Sequence, residues 1–236
     1  MQKSEDVVIL MNTNKINYLI NNGDLQIQPL PIFSEIVCEL LDELSHILRT
    51  DADAKQYPDV MTFAFWCRRG NLTKLRETYQ NSKTRIGRGL IFHIAPSNVP
   101  INFAFSLVFG MLSGNGNVVR VSEKEFPQVQ IVCDAMNRLF LNPEYEIIAR
   151  QTQVVSYGHD QEQNDYYSSI CNVRVIWGGD HTIASVRRSP LPPRSTEVTF
   201  ADRYSFGIFN EDYIDGLPGD ALMRLAEQFY NDTYLM

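Results

Sequence analysis

Between Gly89 and Ser122 the chain reads GLIFHIAPSNVPINFAFSLVFGMLSGNGNVVRVS, a pattern that few folds accommodate. An apolar run, Leu90 to Ile94, breaks at Ala95-Pro96-Ser97-Asn98-Val99-Pro100. A second apolar run follows from Ile101 to Leu112, then the turn Ser113-Gly114-Asn115-Gly116-Asn117, then Val118-Val119-Arg120-Val121. Five apolar or aromatic residues ahead of a Pro-rich turn suit a strand buried on both faces. The longer run, opened by Pro100 and closed by Gly114, suits a buried helix. A third, β-rich run completes a β-α-β unit, so a parallel pair is expected. The turn Ser97-Asn98 then lies at the carboxyl end of its strand, where open α/β sheets bind ligands.

The rest of the chain supports one large domain or a domain with an appendage. It has 236 residues, 44% hydrophobic and 21% charged, as an ordinary soluble globular protein does. A net charge of -7 argues against nucleic acid as the main partner. The first residues, Met1 to Asp6, precede only a short apolar run and lack the features of a signal peptide. No stretch reaches the roughly 20 apolar residues of a membrane span; the run from Ile101 is shorter and carries Ser106 and Gly110. Cys38, Cys67, Cys133 and Cys171 are far apart, with no C-x-x-C pair, and read as buried reduced thiols. A reducing cytoplasmic location is the expectation.

Residues 1 to 88 read as a leader and a helical segment. Val7 to Leu10 is a candidate edge strand, and Asn21 to Asp24 a turn. Pro31 opens an amphipathic helix whose apolar face runs from Ile32 to Leu48. Pro58 precedes a second helix, Asp59 to Arg69, ended by Gly70; Asn71 caps a third, Leu72 to Tyr79. Residues 89 to 236 read as a Rossmann-like cofactor-binding domain. Helices are expected over Pro127 to Leu141, Glu162 to Ile170, Thr182 to Arg188 and Asp220 to Tyr230. Strands are expected over Val154 to Ser156, Val173 to Ile176, Glu197 to Phe200 and Tyr204 to Phe209. Such alternation indicates an α/β fold with a doubly wound, mostly parallel sheet behind the N-terminal helical segment.

Common catalytic signatures are absent: no G-x-S-x-G, no H-E-x-x-H, no Walker A sequence and no complete G-x-G-x-x-G. Gly114-Asn115-Gly116 joins a helix to the next strand, so it falls at the sheet edge opposite the expected crevice and reads as a helix C-cap. Four β-to-α turns should converge on the other edge. They are Pro96-Ser97-Asn98, Ser122-Glu123-Lys124, Gly158-His159-Asp160 and Trp177-Gly178-Gly179-Asp180. Singly each reads as a cap or turn; as a set they fit a bound nucleotide.

The Gly89–Arg120 stretch, the helix PDVMTFAFWCRR, and VIWGGD followed by PPRSTEVTFADRYSFGIFN closely resemble the long-chain acyl-CoA (fatty acyl thioester) reductases of bacterial bioluminescence. That family resembles a branch of the aldehyde dehydrogenase superfamily, and the resemblance runs from about Pro31 to Met236. It implies an aldehyde dehydrogenase-like fold and NADPH-dependent reduction of a fatty acyl thioester to a long-chain aldehyde. Pro96-Ser97-Asn98-Val99-Pro100 matches the superfamily motif P-x-N-x-P, so Asn98 takes the role of oxyanion donor, with a helix N-cap as the alternative, and Ser97 lies against the cofactor. Arg120-Val121-Ser122-Glu123 stands where the superfamily has K-P-S-E beside the adenosine ribose. Arg keeps the charge and favours a 2′-phosphate, hence NADPH, with NADH left open; the Pro is missing. Ile176-Trp177-Gly178-Gly179 replaces F-T-G-S near the nicotinamide and pyrophosphate. Glu197 begins a segment like E-L-G-G; the resemblance leaves it a catalytic or a structural role.

In this family the nucleophilic Cys lies shortly after a segment like Tyr230 to Met236. The resemblance therefore implies the cofactor-binding half of a longer enzyme, inactive by itself. It also implies a fatty acyl thioester substrate, an acyl-protein synthetase and an acyltransferase as partners in a fatty acid reductase complex, and homo-oligomerisation at full length. A reading of another class stands beside it: a non-catalytic nucleotide-binding or interaction module that works with a separate partner chain.

Overall fold

The computed structural model describes residues 16–21, 23–79, 83–201, 203 and 206–234. One compact unit ends at Ala201 and a second begins at Asp202. The first holds a six-stranded sheet, with β1 (Asn17–Ile20), β2 (Leu90–Ile94), β3 (Gly116–Val121), β4 (Thr152–Ser156), β5 (Val173–Trp177) and β6 (Thr196–Phe200) in the order β1-β4-β3-β2-β5-β6. The strands from β2 to β6 are mutually parallel, with Leu90 beside Gly116 and Ile91 beside Val173. β1 alone is antiparallel and places Asn17 opposite Ser156. Counted from β2, the parallel strands follow the doubly wound order 3-2-1-4-5.

Helices cover both faces, which explains why β2 is buried along its whole length. On one face lie α1 (Glu35–Thr50), α2 (Pro58–Trp66), α4 (Asn102–Leu112) and α5 (Pro127–Leu139). Their Leu41, Leu44, Phe63, Phe103, Leu107 and Met136 pack into one core with Val119 of β3. On the other face α7 (Gln161–Ile170) and α8 (Asp180–Val186) bury Tyr167, Ile183 and Val186 against Phe92, Ile94 and Ile176. The helical segment thus shares a core with the sheet. The short α6 (Glu146–Ala149) leads into β4, and α3 (Arg69–Tyr79) follows α2. In the second unit α9 (Glu211–Asp215) and α10 (Gly219–Tyr234) are joined by a short turn, and Phe209 packs edge-on against Phe229 5.3 Å away.

Several expectations need correction. Pro31 does not open a helix: it bridges to Ile86, Phe33 takes φ +49, and α1 begins at Glu35. Gly70 lies inside α3 rather than ending α2, and Asn71 is no cap; its amide donates to the Trp66 carbonyl at 2.8 Å. Residues 206–209 carry no strand, while 204 and 205 lie outside the described residues. The edge strand expected at 7–10 also lies outside them, and the edge position is filled by β1, which the sequence reading treated as leader. Isolated four-residue strands give periodicity too few positions to register.

The glycine turn at 113–117 behaves as a helix C-cap. Gly114 has φ +78, and its amide donates to Met111 O at 2.9 Å. A Cβ there would lie 2.0 Å from Leu30 O, so this glycine serves close backbone packing at the amino edge of the sheet.

Candidate functional site at the carboxyl edge

β2 and β5 are neighbours, but the chain leaves them toward opposite faces, into α4 and α8. The gap beyond Ile94 and Trp177 is therefore the topological switch point. The four expected turns do converge on this edge, because all four follow parallel strands.

Ser97 and Asn98 are exposed in the bend after β2. Asn98 does not cap α4, whose cap position is Ile101, and its side chain makes no hydrogen bond among the described residues. An exposed, unengaged amide is free to meet a ligand.

Arg120, at the end of β3, is held inward. Its Nε and Nη2 donate to Tyr157 O at 3.1 and 2.8 Å, and Nη2 also reaches Gly158 O at 3.3 Å. The guanidinium lies over the Tyr157 ring, and burial lowers its pKa. Three of five N–H groups are thus engaged, and Nη1 has no partner among the described residues. Ser122 accepts from the Ser156 hydroxyl through its carbonyl at 3.2 Å, and the exposed Glu123 lies over Gly158. Asp160 is a cap, accepting from the amides of Glu162 and Gln163 at 3.0 and 3.2 Å.

Trp177 is half-buried and stacks on Phe200 at 3.9 Å and 10°. Its indole N–H donates to Ser106 Oγ of α4 at 3.0 Å. Gly178 donates its amide to Phe200 O at 3.1 Å, and Gly179 caps α8 through its backbone. A Cβ on Gly178 would meet Thr182 at 2.9 Å, so this rim stays bare backbone. An open edge with bare backbone, an unengaged amide and a half-used guanidinium fits a dinucleotide.

Glu197 is ion-paired through both of its carboxylate oxygens. Arg174 Nη2 donates to its Oε2 at 2.6 Å and Arg187 Nε to its Oε1 at 2.8 Å, so both oxygens are occupied. Burial alone would raise its pKa, but the hydrogen bonds from Arg187 and Arg174 bring it below the usual value. Its side chain lies on the strand face that carries the buried Arg174, away from Asn98, as an ion-paired clamp between β5, β6 and α8.

All four cysteines are free and buried. Burial raises the pKa of Cys38, Cys67 and Cys133, and pushes Cys171 up to about 11. None has the thiolate character of an acyl acceptor.

A cleft of about 750 Å³ lies along the same edge, farther toward β1. It is lined by Asn17, Ser156 and the loop from Ser122 to Pro127. It touches the β3 turn but not Trp177 or Asn98, so it lies beside the switch point rather than at it.

One further set of residues carries no motif in the sequence. Beneath Trp177, Ser106 meets His93 Nδ1 at 2.8 Å, His93 Nε2 meets Asn117 Oδ1 at 3.1 Å, and Asn117 Nδ2 donates to Asn115 O at 2.7 Å. The available signal was Ser106 and Gly110, four apart in the apolar part of a helix and so on one face, with His93 in an apolar strand.

The architecture matches solved aldehyde dehydrogenases. A mutant proline utilization A from Bradyrhizobium japonicum superposes with a TM-score of 0.54 at 16% identity, over 70% of this chain and 20% of that one. An NAD-dependent benzaldehyde dehydrogenase from Corynebacterium glutamicum gives 0.52 at 11% identity, over 70% and 41%. A mutant 1-pyrroline-5-carboxylate dehydrogenase from Thermus thermophilus gives 0.52 at 14%, over 71% and 38%. The chain thus spans between about a fifth and two-fifths of these structures' length. No curated protein sequence matches it. The family model for acyl-CoA reductase (LuxC) matches residues 53–232, which takes in α2 through nearly all of α10. With that match over most of its length and an aldehyde dehydrogenase-like fold beneath it, the chain belongs to the acyl-CoA reductase (LuxC) family.

Proposed function

We propose that this chain supplies the cofactor-binding part of an enzyme that reduces a long-chain fatty acyl thioester, acyl-CoA or acyl-enzyme, to the fatty aldehyde with NADPH. The observation that carries the reading is the switch point of a family member's sheet, with Asn98 unengaged on one side and Trp177, Gly178 and Gly179 on the other. When bound, the nicotinamide supplies the two reducing electrons as hydride. Trp177 and the bare backbone at Gly178 and Gly179 line its nicotinamide and pyrophosphate side. Ser122, Glu123 and the free Nη1 of Arg120 serve the ribose, with Ser97 at the turn opposite. A thiolate acyl acceptor would attack the thioester carbonyl, and the Asn98 amide N–H would stabilise the oxyanion that develops there.

The four thiols of this chain are buried, and burial raises their pKa values, which supports an acyl-accepting thiol outside these residues. Glu197 keeps its structural role. The fatty acyl thioester, the acyl-protein synthetase, the acyltransferase and assembly into homo-oligomers belong to this proposal for the whole enzyme, as does a cytoplasmic location.

The test is a titration of Trp177 fluorescence with NADPH in a Trp66→Phe background. A saturable quench is expected, and its absence in a folded chain would remove the cofactor reading. Acyl-CoA-dependent NADPH oxidation by this chain alone would instead overturn the assignment of the thiol. A second reading, a non-catalytic module docked on a partner chain, is supported by the exposed Val198 and Phe200 beside Trp177. Nucleotide binding without any reductase activity on supplementing a thiol-bearing partner domain would favour it.

A further inference from the structure

The contacts beneath Trp177 form a continuous file through the core, from the carboxyl edge of the sheet to the amino edge: Trp177, Ser106, His93, Asn117, Asn115. Its two ends fix its sense. An indole N–H can only donate and the Asn115 carbonyl can only accept. Asn117 gives an Nδ2 proton to Asn115 O, so its Oδ1 must accept from His93 Nε2. In the neutral imidazole Nδ1 is then bare and takes the Ser106 hydroxyl proton, while Ser106 Oγ accepts from Trp177. Each contact in the file then has one donor and one acceptor.

The slot around the file is built for it. His93, Ser106 and Asn117 are all buried. α4 presents Ser106 and Gly110 one turn apart toward β2 and β3. A Cβ on Gly110 would lie 1.9 Å from Asn117 Oδ1 and 3.1 Å from His93 Nε2. A glycine within a helix costs helix propensity, and here, in the last turn of α4, the missing side chain is what admits the file.

We infer that His93 and Ser106 are positioning residues: they lock the Nε2–H tautomer of His93 and, through the Ser106 hydroxyl, fix the indole of Trp177 at the cofactor edge. The inference rests on the reading of Trp177 as a cofactor contact only for its consequence. The file itself stands on the distances. Phe200 fixes the plane of the indole by stacking, and Ser106 fixes its rotation within that plane, so both are needed to present one edge of the ring outward. Burial lowers the His93 pKa to about 4, which keeps the imidazole neutral and the file in one sense across the neutral pH range.

The test begins with the unmodified protein. Two-bond nitrogen–proton NMR correlations of its imidazoles should show one histidine held in the Nε2–H form with Nδ1 bare; absence of such a ring overturns the file. The Trp177 indole N–H, assigned with Trp66→Phe, should exchange slowly with solvent. Ser106→Ala should speed that exchange about tenfold and weaken NADPH binding by a similar factor, the effect of one lost hydrogen bond. Ser106→Thr, which keeps the hydroxyl, should restore both. An unchanged indole proton in Ser106→Ala overturns the file. A changed indole proton with unchanged NADPH affinity overturns the positioning role. If the unmodified protein binds no NADPH, the cofactor reading and the positioning role fall together, while the imidazole and indole signals still report on the file.

Discussion

Asn117 Oδ1 occupies the space that a side chain on Gly110 would need, 1.9 Å from where its Cβ would stand. This close approach explains why α4, a largely apolar helix, gives up a side chain in its last turn, where it lies against β3.

Gly110→Ala should therefore destabilise the chain although it improves helix propensity. The propensity gain is about 1 kcal/mol. Against it stand overpacking, about 1–3 kcal/mol, and a buried donor or acceptor left unpaired, about 1–3 kcal/mol. A net loss of about 2 kcal/mol is expected in urea unfolding, with the largest shifts in NMR signals at His93 and Asn117. A neutral or stabilising substitution would contradict the slot.

Acid should weaken the fold through His93. Its folded pKa is lowered from 6.5 to about 4, so between those values the unfolded chain takes up a proton that the folded chain refuses. Stability is unaffected by this group above pH 6.5 and falls as the pH drops from 6.5 toward 4, by up to about 3 kcal/mol. Urea midpoints measured between pH 7 and 4.5 check the trend. The His93 ring resonances should stay fixed from pH 7 down to pH 5.

Glu197→Gln should cost stability and leave cofactor binding alone. The change removes the charge that serves both Arg174 and Arg187, and Arg174 is buried. A loss of about 2–3 kcal/mol is expected, the scale of a buried hydrogen bond to a charged group. The lowered pKa gives the sign with pH: the clamp's contribution is present above the unfolded carboxylate's pKa and is lost as the pH falls through the folded one. An altered NADPH affinity at full stability would instead return Glu197 to the site.

Arg120→Met should separate the two cofactors. If the free Nη1 reads a 2′-phosphate, NADPH affinity falls by about tenfold while NADH affinity changes little. Equal losses for both would mean that Arg120 acts only by holding the Tyr157 and Gly158 carbonyls.

The cysteines should be silent toward a thiol reagent in the native chain and react on unfolding, since all four are buried. Rapid labelling of any one under native conditions would reopen the search for a nucleophile within these residues.

The sequence alone determined the β2-α4-β3 unit, the parallel sheet and the edge on which its polar turns meet, because apolar period and Pro or Gly punctuation are local signals. It also placed Gly114 correctly as a cap, since helix-to-strand turns must fall at the amino edge. Tertiary structure decided what the polar residues do. Glu197 looked equally suited to chemistry and to support until Arg174 and Arg187, 23 and 10 residues away, took both its oxygens. His93, Ser106 and Trp177 carried no common motif, for they are neighbours only once α4 lies across β2 and β5. A hydrogen bond depends on distance and direction in space, and separations of 13 and 71 residues along the chain carry neither.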